Sequence, residues 1–225
     1  ELLNYAKVLL DECRKKGTVQ FSRLARLAFI GKALMKSLVD QDIISQTEFD
    51  ACYNSISTVA TRMSLDFRKL IKGELQKEEF IEQYYHLRPG TYDITSPRYE
   101  QNVHLMNDAK NITAVEEKKV NVEFSEQNLA QITAALHKEE LQFDALHLLS
   151  FVEKSTEARE FSKFEFTKNL SEALELIAQA GEKMGFTRKE IALLDINDIF
   201  RINATADLQE TTRQWKQLIQ EKEKE

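Results

Sequence analysis

The two prolines of this 225-residue chain stand close together, at positions 89 and 97, and no proline occurs elsewhere. Each fixes its own φ and drives the preceding residue out of the helical region, so Arg88 and Ser96 are expected to be extended. The stretch around them, from Tyr84 to Tyr99, also holds Gly90, two arginines, His86, Asp93 and several tyrosines. It predicts an ordered loop crossing a surface. Outside it, apolar residues recur mostly at intervals of three and four, and no run alternates long enough to support a sheet. A chain interrupted so locally is confined to an all-α fold: an irregular multi-helix bundle with one long helix and an ordered Pro/Gly loop.

The helices can be placed from their apolar faces and their end signals. Leu2 to Lys16 carries Leu2, Leu3, Ala6, Leu9, Leu10 and Cys13 on one face, and Gly17 is expected to end it. A second helix aligns Leu24, Leu27, Ala28, Gly31, Leu34, Met35 and Leu38, with a turn over 40–45. Ser45 and Glu48 have the spacing of a capping box, which opens a third helix running through Phe49, Tyr53, Ile56, Ala60, Met63, Phe67 and Leu70 to a stop at Gly73. A short helix over 76–85 leads into the loop. A helical turn over 99–106 is expected next. Then Ser125 caps a helix to His137, and a much longer helical stretch runs from Lys138 to Met184, ended by Gly181 and Gly185. Thr187 and Glu190 form another capping box, and a last helix carries Leu208, Trp215, Leu218 and Ile219. Residues 107–124 lack apolar period and read as a linker between a 1–106 helical subdomain containing the loop and a 125–225 helical subdomain packed on it.

Composition narrows the function classes. An apolar content of 42% suffices for a substantial core, while a net charge of −6 argues against a general nucleic-acid binder, which needs a basic stripe to neutralise phosphates. Cys13 and Cys52 have no paired spacing, so neither a disulfide framework nor a zinc site is indicated, and a reducing cytoplasmic setting is expected. The most apolar run, from Leu24 to Val39, is broken by Arg26, Lys32 and Lys36 and is too charged to span a membrane. No signal peptide is visible. The chain begins on Glu1 and closes on Glu-Lys-Glu-Lys-Glu, the pattern expected of a piece of a longer protein.

The familiar catalytic signatures are missing: no glycine-rich phosphate cradle, nucleophile elbow, Cys-x-x-Cys or His-Glu-x-x-His occurs. His86, His104, His137 and His147 lack metal-ligand spacing, and no metal is expected. The loop nevertheless has the parts of an anion or sugar site. Arg88 and Arg98 offer planar forks for phosphate or carboxylate, Gly90 allows approach to backbone amides, and His86 and Asp93 are suited to proton transfer. The competing reading is purely structural: Asp93 pairs with Arg88 or Arg98 to pin the loop, over the rings of Tyr85, Tyr92 and Tyr99. A second cluster, Arg159 to Phe166, raises the same choice. Arg159 and Lys163, one helical turn apart, either line the solvent face or face a cleft opposite the loop and add positive charge to it.

The run Phe80 to Tyr99, Phe-Ile-Glu-Gln-Tyr-Tyr-His-Leu-Arg-Pro-Gly-Thr-Tyr-Asp-Ile-Thr-Ser-Pro-Arg-Tyr, resembles a motif of phosphoenolpyruvate synthase-like proteins at Tyr84, His86, Gly90, Asp93, Pro97 and Arg98. Tyr85 stands where that motif usually has glycine. The stretch from Ala158 to Ile199 is similar to the same proteins. The family includes rifampin phosphotransferases and relatives of pyruvate phosphate dikinase. The resemblance implies the helical acceptor-binding region of an ATP- and Mg-dependent phosphotransferase, set between an ATP-grasp domain and a swivelling phosphohistidine domain of the same parent chain. It implies that a small-molecule acceptor is held by His86, Arg88, Gly90, Tyr92, Asp93, Arg98 and Tyr99, with Arg159 and Lys163 contributing charge. Neither an ATP-grasp signature nor a phosphohistidine segment is present, so this piece is expected to hold no catalytic residue and no cofactor of its own. The alternative is a non-catalytic helical scaffold or homodimerisation module joining the moving domains.

Overall fold

A computed structural model describes residues 1–101, 124–201 and 207–224, and within them every regular element is helical. α1 (Leu2–Glu12) runs through a π-helical segment (Cys13–Thr18) into α2 (Val19–Asp40). α3 (Gln46–Ser55), α4 (Val59–Lys72) and α5 (Lys77–Tyr84) follow, and the chain from 85 to 101 is a non-helical loop. After it come α6 (Glu126–Lys138), α7 (Ala145–Lys183), α8 (Arg188–Ile191), α9 (Ile196–Phe200) and α10 (Leu208–Lys222). No helix among the described residues is long and apolar enough to cross a membrane.

The end signals act locally, as short-range hydrogen bonds should. Ser45 with Glu48 and Thr187 with Glu190 both close complete capping boxes, and Ser125 Oγ accepts from the Asn128 amide. Gly73 and Gly185 stop α4 and α7 at φ of 74° and 88°, a backbone region that a side chain disfavours. Three expected boundaries are different. Gly17 does not end the first helix, because the extra residues of the π segment carry the chain through it. The expected third helix is two: it breaks at Ile56, and Thr58 caps α4 through the Thr61 amide. The long helix starts at Ala145 and not at Lys138, since Glu140 adopts φ 61° and the Asp144 side chain accepts from the His147 amide.

The described residues form two compact units that interleave along the sequence. One draws on residues 1–16, 77–101, 166–201 and 207–224, the other on 17–76 and 124–165. This division takes part of each unit from either side of the stretch 107–124, which lies, apart from Phe124, outside the described residues, as do most of the 99–106 turn and His104. In the first unit, Ala173, Leu176, Ile177 and Ala178 of α7 bury against Ala6, Leu9, Phe186, Ile191, Trp215 and Ile219. Gly181 is required there for space: a Cβ would lie 2.2 Å from Ile191 Cδ1 and 3.5 Å from the Trp215 ring. In the second unit, Met35, Leu38, Ile44, Ile56, Ile132, Leu136, Leu148 and Val152 form a separate core. Gly31 there brings α2 close to Val152 of α7.

Candidate functional site

The loop from 85 to 101 belongs to the first unit and is built inward, although its prolines suggested a surface crossing. Ile94 joins the core, and His86, Arg88 and Arg98 are buried. The ends of the loop are tied where the Tyr99 amide donates to the Leu87 carbonyl at 3.0 Å, and the Gly90 amide donates to Ser96 Oγ at 3.2 Å. Gly90 lies so near Asp93 that a Cβ on it would sit 2.8 Å from the Asp93 Cβ.

Three side chains of α7, Ser171, Glu172 and Glu175, receive this loop. Ser171 and Glu175 are one helical turn apart and therefore share a face. Ser171 Oγ donates to the His86 carbonyl at 2.6 Å and accepts from Arg88 Nη2 at 3.0 Å and Arg98 Nε at 3.1 Å. Arg88 also donates to the carbonyls of Asp93, Ser96 and Ser171 and pairs with Glu175 Oε1 at 3.0 Å. Arg98 pairs with Glu172 at 2.7 Å and Glu100 at 3.1 Å. Glu175 takes three further donors, Gln101 Nε2 at 2.7 Å, Arg188 Nη2 at 2.7 Å and Arg188 Nη1 at 3.0 Å, and Arg188 Nη1 also holds the Ile94 carbonyl at 3.2 Å. The side chains of Arg88, Glu175 and Arg98 are only 1%, 3% and 5% exposed.

Burial would raise the Glu175 carboxyl, but the hydrogen bonds from Arg188 and Gln101 and the charges of Arg188 and Arg88 outweigh it and hold the group at about 2. Burial pulls Arg88 below its ordinary value against the opposing attraction of Glu175. Arg188, which hydrogen-bonds Glu175 from a more exposed position, is raised. The cluster is thus a carboxylate held among three guanidinium groups. Their other donors go to backbone carbonyls, from Arg88 and Arg188, and to Ser171, Glu100, Glu172 and Glu182, while Arg88 Nε has no hydrogen-bond partner among the described residues. Such an arrangement fixes geometry strongly and leaves little unsatisfied charge for a ligand.

The other expected site residues separate from this cluster. Asp93 does not pair through its carboxylate with either arginine as the pinned-loop reading had it. That carboxylate accepts from the Thr95 hydroxyl and amide at 2.7 and 2.8 Å, which lowers its pKa, and the arginines pair instead with Glu175 (Arg88) and with Glu172 and Glu100 (Arg98). Tyr92 is 65% exposed and does not pack beneath the loop. Tyr99 is half-buried, and burial raises its hydroxyl, while Tyr85 lies under Arg98 at 5.9 Å from ring centroid to guanidinium carbon. Arg159 and Lys163 fall in the second unit, where Arg159 stands over the Phe29 ring at 5.2 Å and Lys163 is exposed. Sequence reasoning missed Ser171, Glu172, Glu175, Gln101 and Arg188. The signal for the first three was a polar trio, Ser171-Glu172 with Glu175, inside the apolar register of Leu170, Ala173, Leu174 and Ile177.

Among the described residues no group of three or more His, Cys, Asp or Glu side chains is placed to hold a metal ion. Compared with family models, curated proteins and solved structures, the chain matches none.

Proposed function

We propose that this chain is a non-catalytic helical region of a phosphoenolpyruvate synthase-like, ATP-dependent phosphotransferase, in which the loop from 85 to 101 is a rivet and not the element that grips the acceptor. The reading rests on the resemblance of Phe80 to Tyr99 to that family, and its structural half is carried by one observation. Arg88 and Arg98, the two groups best suited to hold an anion, are buried and committed to Ser171, Glu172 and Glu175. A guanidinium so engaged gains little from an incoming phosphate, because each new hydrogen bond replaces an existing charge-assisted one. The region then serves as a helical connector between the ATP-grasp and phosphohistidine domains of the parent, where ATP, Mg and the acceptor's phosphorylation belong.

Acceptor binding is the second reading, and the exposure of Tyr92 beside the ionised Asp93 favours it. The two readings separate by experiment. Replacing Arg98 by Ala in the isolated chain is expected to lower its thermal midpoint, and small phosphorylated or hydroxylated compounds are expected not to shift the unaltered protein. In the parent enzyme, Tyr92→Ala is expected to leave the acceptor KM unchanged. A several-fold rise in that KM, with histidine phosphorylation by ATP intact, would transfer the assignment to acceptor binding.

A further inference from the structure

A cleft in the first unit, remote in sequence from the loop, has no part in the rivet. It opens where the start of α1, the end of α7, α9 and the start of α10 meet, and encloses about 780 Å3. That volume is within the range of small-molecule sites, roughly 300–1,000 Å3. Its walls are mixed, apolar at Leu3, Met184, Ile199 and Phe200 and polar at Asn4 and Thr211. Its polar lining is unbalanced: Lys7, Lys183 and Arg201 stand against the single carboxylate of Glu1. Lys7 and Lys183 make no ion pair with any described residue, and Arg201 reaches Asp198 only at 3.9 Å with its side chain 80% exposed. Lys7, Lys183 and Arg201 are all exposed, and together they give this cleft a positive balance in a chain whose net charge is −6.

We propose that this cleft binds an amphipathic organic monoanion of the medium-chain carboxylate class. The hydrocarbon body lies against Leu3, Met184 and Phe200, and the carboxylate sits among Lys7, Lys183 and Arg201. Apolar contact supplies the bulk of such binding, and the cations select an acid over a neutral molecule of the same length. Binding here is independent of the rivet and of the phosphotransferase reading.

The protein carries its own reporter. Trp215 is the sole tryptophan, buried in α10 one turn beyond Thr211, which lines the cleft. Decanoate, titrated below its micelle-forming concentration into the 225-residue chain, is expected to change Trp215 emission saturably with one-to-one stoichiometry and to raise the thermal midpoint. Decanol is expected to bind at least roughly tenfold more weakly. Replacing Lys7, Lys183 and Arg201 together by Met is expected to erase that preference while retaining decanol binding. Lys183→Glu alone provides the same comparison if the triple variant does not fold. The proposal is overturned by non-saturable or absent binding of decanoate, by equal affinity for decanoate and decanol, or by an unchanged preference in the charge variants.

Discussion

At Glu175 a single carboxylate is the shared counter-charge of Arg88 and Arg188, while Arg98 pairs mainly with Glu172 and Glu100. Removing one partner of a buried pair typically costs about 3–5 kcal/mol, because the charge left behind has lost its solvent as well as its counter-ion. Glu175→Gln is therefore expected to destabilise the chain by roughly 3 kcal/mol at neutral pH, measured by urea unfolding followed at Trp215. The pH dependence has a definite sign. The folded-state value of Glu175 is lowered from 4.5 to about 2, so its contribution is fully present above 4.5, declines as pH falls between the two values, and is lost below 2. The stability gap between the parent chain and Glu175→Gln should narrow over that acid window; a gap that stays constant from pH 5 to about 2 would contradict a lowered carboxyl. Gly181 is the complementary case, governed by space. Gly181→Ala would gain up to about 1 kcal/mol of helix propensity, yet its Cβ would lie 2.2 and 2.7 Å from Ile191 Cδ1 and Cγ1. Overpacking is expected to win, with a net loss of about 1–3 kcal/mol. Adding Ile191→Val, which deletes the nearer atom, should recover part of that loss in a double-mutant cycle.

Among the elements, the shortest helix has the largest leverage. α8 spans only Arg188–Ile191, too little to form alone, and it depends on its capping box and on Ile191 in the core. It also delivers Arg188 to Glu175 and to the Ile94 carbonyl, so the cap of α8 supports the loop. Thr187→Ala is expected to cost about 1 kcal/mol and to speed amide exchange in the loop near Ile94 as well as in α8 itself. Ser45→Ala removes a similar cap from α3 and should cost a similar amount with no effect on loop exchange, because α3 lies in the other compact unit. The long α7 contributes differently. Its first half carries Leu148 and Val152 into one core, and its second half carries Ala173 and Ile177 into another, with the rivet's receiving face at Ser171 and Glu175.

For the whole molecule, a net charge of −6 sets the expected behaviour towards polyanions. A labelled DNA duplex at moderate salt should show no rise in anisotropy with added protein, since nonspecific affinity comes from neutralised phosphates. Helical class, most helix ends and the position of the loop were legible in the sequence, because apolar period, Ser/Thr caps and glycine stops act within a few residues. The break at Ile56 was missed although Thr58, which caps α4 through the Thr61 amide, is itself a local signal, and the passage through Gly17 lies in the π-helical segment, for which no sequence signal was read. The loop shows where local signals end. Pro89, Gly90 and Pro97 alone establish that a loop must exist and supply its arginines. Whether those arginines meet a ligand or the protein depends on Ser171 and Glu175, more than seventy residues away by the spacing of their hydrogen bonds. Only folding brings these groups together, and in a buried site the nearest opposite charge takes the arginine.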